Sequence, residues 1–245
     1  MKPFVLLASR PQTEIADDEY QSFLRLGNLE PEQLIRIRLD EYPLSEFDID
    51  LDAISGFMVG GSPFSASTPA DEKTALQHRV EKDLFELLDT LVPMDFPFLG
   101  ACYGVGTLGV HQAAIINSTY SEEISAPTIS LTEEGKKDPL LEGCPTEFDA
   151  YVGHKEACYR LPEHAVLLAT SSRCPVQMFR IGRNMYGTQF HPELDWQSLV
   201  KRINAYQYAG YYPAEEKERI IDGCRGADVS AANTIIKKFV QRYAR

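Results

Sequence analysis

The stretch from Asp71 to Val92 carries Leu76, Val80, Leu84, Leu87, Leu88 and Leu91 at spacings of three and four, with charged residues between them. That spacing predicts a long amphipathic helix with one apolar stripe. Directly after it comes a short apolar run, Phe96–Ala101. A helix stripe beside a run too short for a helix is the pattern of a helix laid on a buried strand. The couple recurs along the chain. Apolar runs at Phe4–Ala8, Ala53–Val59, Val166–Thr170, Val176–Ile181 and Met185–Phe190 read as strands, with a further one near Pro127–Leu131. Helical patterns cover Asp18–Leu26, the segment from Tyr103 through Ile116, Trp196–Tyr208 and Val229–Tyr243. Leu34–Leu39 alternates apolar residues with Arg36 and Arg38, the two-residue period of an edge strand. The tight turn Gly182-Arg183-Asn184 joins the last two strands into a hairpin. The expected fold class is α/β: three layers, a mostly parallel sheet with helices on both faces, and an antiparallel hairpin appended. One domain over 1–245 is expected, with 197–245 as a helical carboxyl-terminal extension.

Charge narrows the partners. The 36 acidic residues exceed the 24 basic ones, a formal net charge of −12. No basic footprint exists for a nucleic-acid backbone or an anionic membrane surface. The apolar amino terminus is too short for a secretory core, and no run approaches the length of a membrane span. The five cysteines, Cys102, Cys144, Cys158, Cys174 and Cys224, are odd in number and fall in no closely spaced pair. A zinc cluster is not expected, no cofactor is implied, and a reduced cytoplasmic setting fits best.

The segment FPFLGACYGVGTLG runs from apolar residues into Gly100-Ala101-Cys102-Tyr103-Gly104 and then turns helical. Glycines two residues to either side of Cys102 let a strand pass into a helix through a crowded elbow. A thiol there lies beneath the first free amides of the helix, which favour a thiolate and can hold an oxyanion. The competing reading is a small buried cysteine between sheet and helix. A nucleophilic thiol wants an imidazole, and His191 has the best context: it follows a strand and precedes Pro192 and Glu193, whose carboxylate can reach its ring. Capping of a strand end is the plain alternative. His154, in a polar turn after Gly153, is the rival base. Gly60-Gly61-Ser62 ends a strand and can offer a backbone amide opposite that of Tyr103.

Taken together, LGACYG around Cys102, VGGSPFS at 59–65 and YGTQFHPE at 186–193 resemble the class I glutamine amidotransferase family. The resemblance covers roughly Phe4 to Trp196. It implies a flavodoxin-like domain in which Cys102 attacks a glutamine side-chain amide, His191 moves the proton and Glu193 orients the ring. Gly61 or Ser62, with Tyr103, then form the oxyanion hole. The sequence departs from the family after the cysteine, where C-x-G-x-Q is usual and Gly106 stands in place of glutamine. Thr107, or main-chain groups near Gly153 and His154, are the expected substitutes at the substrate. The implied function is a free-standing glutaminase that releases ammonia to an acceptor or partner synthetase. The alternatives are a γ-glutamyl conjugate hydrolase on the same fold and a catalytically silent ligand-binding relative.

Overall fold

The computed structural model describes residues 1–208 and 212–245; residues 209–211, inside the expected carboxyl-terminal extension, lie outside the described residues. The first half runs β1 (Phe4–Ala8), α1 (Thr13–Gly27), β2 (Leu34–Arg38), β3 (Gly56–Val59), α2 (Ala75–Met94), β4 (Phe98–Ala101) and α3 (Tyr103–His111). Six short strands follow: β5 (Ile115–Asn117), β6 (Glu122–Ser125), β7 (Thr128–Leu131), β8 (Glu147–Asp149), β9 (Val152–His154) and β10 (Ala157–Arg160). The chain ends with β11 (Val166–Thr170), β12 (Met178–Ile181), β13 (Met185–Thr188), α4 (Trp196–Ala205), α5 (Lys217–Cys224) and α6 (Ser230–Tyr243).

Nine strands form the main sheet in the order β2-β1-β3-β4-β13-β12-β11-β7-β8. The four pairings from β2 to β13 are parallel and the four from β13 to β8 antiparallel, so the sheet is mixed. β2 is an edge strand, as its alternation predicts. The period of two divides β1 between the sheet's faces. Phe4 and Leu6 pack with Phe23 and Leu24 of α1 and Ile235, Ile236 and Phe239 of α6. Val5 and Leu7 pack with Val80, Leu84, Leu88 and Leu91 of α2 and Val105 and Leu108 of α3. A third cluster lies apart, where Leu199 and Ile203 of α4 meet Ile220, Ile221 and Cys224 of α5 around Tyr151 and Leu194.

Two expectations are corrected. Helix α2 begins at Ala75 rather than Asp71 because the Thr74 side chain caps it, accepting the Gln77 amide at 3.1 Å. The helix after Cys102 stops at His111, not Ile116. Ala113 adopts φ 66°, and Ile115 and Ile116 leave the helix for β5, paired with β10.

Candidate active site

Cys102 stands between the last residue of β4 and the first of α3 with φ 52° and ψ −87°, a left-handed conformation outside both elements. Its amide donates to the Thr188 carbonyl at 2.7 Å, which ties the elbow to the end of β13. Of the flanking glycines, Gly100 is required by contact, whereas a Cβ on Gly104 would meet only Val59 at 3.7 Å, an ordinary contact. A Cβ on Gly100 would lie 2.7 Å from the Gly104 Cα. Strand and helix therefore approach at the bend as closely as backbones can.

The chain leaving β13 brings His191 to this elbow, and the His191 amide is fixed to the Tyr151 carbonyl at 2.9 Å. His191 Nδ1 lies 2.7 Å from Glu193 Oε1, and the imidazole shares the pocket lining with Cys102, whose side chain acts on its protonation. Both His191 and Glu193 are buried. Burial pushes the imidazole pKa down, but the Glu193 charge, the Cys102 charge and hydrogen bonds to both outweigh it and hold the pKa above the ordinary histidine value. Burial likewise pushes the Glu193 carboxyl up. The His191 charge and hydrogen bond and the Arg202 charge reverse that and keep it ionised below the usual range. The arrangement is a thiol, an imidazole and a carboxylate in series.

The pocket before the thiol is lined by Ser62, Tyr103, Gly106, Gly153 and His154, together with Glu156. Gly61 lies beside the ring: a Cβ there would sit 3.1 Å from His191 Cε1. Thr107 turns back into α3, its hydroxyl donating to the Tyr103 carbonyl at 2.9 Å. His154 is buried with both ring nitrogens engaged, Nδ1 with the Glu156 carbonyl at 2.9 Å and Nε2 with Glu122 Oε2 at 3.0 Å. The ring braces the pocket wall, with both nitrogens committed to Glu156 and Glu122.

Glu156 is a pocket residue to which the sequence reading gave no role. Its two carboxylate oxygens accept the amides of Ala66 and Ser67 at 2.6 and 2.7 Å. A Cβ on Gly106 would lie 3.1 Å from Glu156 Oε1 and 3.0 Å from Ala66 Cβ. The space a side chain at 106 would use is filled from across the pocket.

Behind the pocket, Glu122, His154 and Cys174 bring their ligating atoms within 4.8 Å of one another, the group best placed among the described residues to hold a metal ion. Those atoms are committed to one another and to their surroundings. Gln177 Nε2 donates to Glu122 Oε2 at 2.8 Å, and the Cys174 thiol bonds the Val176 carbonyl at 3.4 Å. Burial pushes that thiol up to about 12, away from the thiolate a metal requires. The cluster reads as a packed polar brace.

The sequence model of the family described as "Glutamine amidotransferase class-I" matches residues 35–203. A glutamine-hydrolyzing GMP synthase of Thermosipho africanus is 32% identical over 124 residues, 50% of this chain and 23% of that protein. One from Porphyromonas gingivalis is 33% identical over 171 residues, 66% of this chain and 31% of that protein. The chain thus spans about a quarter to a third of the length of these curated relatives. Among solved structures, a glutamine amidotransferase from Thermotoga maritima superposes with TM-score 0.76 at 18% identity, covering 99% of this chain and 98% of that one. Another, from Methylobacillus flagellatus, gives 0.71 at 16% identity over 100% of this chain and 96% of that one. At these identities the superpositions establish a shared α/β fold.

Proposed function

Because the chain belongs to the class I glutamine amidotransferase family, we propose that it hydrolyses the side-chain amide of glutamine through a thioester on Cys102 and releases ammonia. The observation that carries the reading is the series Cys102–His191–Glu193, with its 2.7 Å bond from imidazole to carboxylate. The likeness of this chain to glutamine-hydrolyzing GMP synthases supports glutamine as the donor and a synthetase as the partner that receives the ammonia.

In this mechanism His191 takes the thiol proton and the Cys102 sulfur attacks the amide carbon. A C–S bond forms, and the carbonyl electrons move onto oxygen. The Tyr103 amide, at the start of α3, and an amide of Gly61 or Ser62 receive that oxyanion. Collapse breaks the C–N bond, and His191 gives its proton to the departing nitrogen, so neutral ammonia leaves. Water, deprotonated by His191, then attacks the thioester; the C–S bond breaks, glutamate forms and the thiol is restored. Glu193 keeps one ring nitrogen bonded throughout and balances the imidazolium charge.

Glu156 supports free glutamine as the donor. Its carboxylate occupies the space beside Gly106, closing what a bulky conjugate would need as a groove. In this reading it offers an anion to the substrate's α-ammonium, near where the family's glutamine side chain at 106 helps to hold the substrate. Incubation with glutamine and, separately, a γ-glutamyl anilide, following ammonia and aniline, tests the proposal. Ammonia release that disappears in Cys102→Ala is expected; aniline release alone would overturn glutamine as the donor.

A further inference from the structure

Glu193 is held from behind as well as by His191. Arg202 of α4 places Nη1 3.1 Å from the same Oε1 that bonds His191, and 3.3 Å from His191 Nδ1. Its Nη2 lies 3.4 Å from Glu19 Oε1 of α1, and Glu19 Oε1 accepts the Arg10 Nε at 3.1 Å. Arg10 continues to the Tyr206 hydroxyl at 2.9 Å. Glu19 and Glu193 are fully buried and Arg10 nearly so. The result is a row of alternating charge, Arg10, Glu19, Arg202, Glu193, ending at the imidazole and buried except at the part-exposed Arg202. The row also touches the glycine turn. A Cβ on Gly60 would overlap the Glu19 carboxylate, and one on Gly61 would fall on the Arg10 guanidinium. The family match begins at residue 35, so Arg10 and Glu19 lie outside it.

We propose that Arg202, held by the Arg10–Glu19 pair, is a positioning residue for the thiol chemistry, fixing the Glu193 carboxylate behind His191 and joining it to the glycine turn in one rigid unit. This inference rests on the hydrolytic reading above. Three buried charges and a fourth, Arg202, mostly withdrawn from solvent cost desolvation that apolar residues would not, so simple packing gives no reason for them. Position does: Oε1 is fixed from two sides, and a second cation on it weakens its pull on the imidazolium. His191 has to surrender that proton to the leaving nitrogen, and a carboxylate answering to His191 alone would hold it more tightly. The charged and titratable groups facing the pair are Cys102 from the elbow, Arg202 and Tyr206 from α4 and its end, Glu19 from α1 and Arg10 from the loop after β1. Tyr103, His154, Lys155 and Glu156 face it across the pocket.

The test is the pH dependence of Cys102 alkylation by iodoacetamide, read by mass spectrometry on the intact protein without substrate. Removing a cation beside coupled titrating groups moves their titration to higher pH; removing an anion moves it lower. Arg202→Met is expected to raise the acid limb by roughly half a pH unit or more, and Glu19→Gln to lower it. Arg202→Lys, which keeps the charge, should stay near the wild-type profile. In turnover, Arg202→Met should lower kcat at least about tenfold while KM stays within about twofold. Limbs unmoved in both charge variants, or moved in the same direction, would overturn the proposal. Should Arg202→Met fail to fold, the direction of the Glu19→Gln shift decides alone. A wild-type protein that cleaves neither glutamine nor the anilide would defeat the hydrolytic reading while leaving the alkylation profile to judge Arg202.

Discussion

Four of the five cysteines differ from Cys102 in environment, and that sets the reactivity of the chain. Burial pushes Cys158 and Cys224 up to about 11 and Cys174 up to about 12, so these thiols stay protonated at neutral pH. Cys144 is part-exposed, with Lys238 Nζ 2.9 Å from its sulfur, but among the described residues no imidazole is hydrogen-bonded to it. One equivalent of iodoacetamide at neutral pH should therefore label Cys102 first; peptide mapping that found Cys144 ahead of it would count against imidazole activation. Glu193→Gln should lower turnover by roughly a hundredfold or more, since the ring loses the charged acceptor that fixes its tautomer. Turnover within about twofold of wild type would reduce Glu193 to a packing role.

The elbow between β4 and α3 and the segment after β13 are the elements that make the site, and both were legible. A cysteine two residues from each of two glycines pointed to an elbow without deciding between nucleophile and packing, and the histidine before a proline pointed to a strand end nearby, although β13 already stops at Thr188. What escaped was carried by charge inside apolar stripes. Glu19 falls in register with Ile15, Ala16, Ser22 and Phe23 on the buried face of α1, and Arg202 with Leu199 and Ile203 on α4. A carboxylate on a core stripe was a readable signal, but its partners are distant in sequence and periodicity names no partner. The strands β5, β6, β8, β9 and β10 hold three or four residues each, too few to show any period. Gly100→Ala is the test of the elbow as an element. Its added methyl meets backbone, which cannot yield as a side chain would, so a loss of about 1–3 kcal/mol in urea unfolding is expected, with slower alkylation of Cys102. At Gly106 the obstacle is the Glu156 carboxylate. Gly106→Gln should lower kcat/KM for glutamine, and adding Glu156→Ala should recover part of the loss by emptying the contested space.

For the molecule as a whole, the buried His191–Glu193 pair links catalysis and stability to pH. The Glu193 carboxyl is lowered in the folded protein, so its contribution is present above the unfolded carboxyl range and is lost as pH falls through the folded value. The His191 imidazole is raised, so its contribution is complete below about 6.5, the unfolded histidine value, and fades as pH climbs through the folded value. Urea midpoints should thus be highest at mildly acidic pH and decline on both sides, and His191→Ala should flatten the alkaline decline. A midpoint that rises steadily from pH 6 to 9 would contradict the raised imidazole. The core is also divided in three, and Arg202 belongs to the portion under α4 and α5 that stands apart from the two sheet faces. Being small and peripheral, that portion is expected to open at lower free energy than the sheet core. Amide protons of α4 and α5 should then exchange with deuterium sooner than those of β1, β3 and β4. A covalent adduct on Cys102 that packs against the α4 residues lining the pocket should slow that exchange, so the occupancy of the thiol would be read at the edge of the fold.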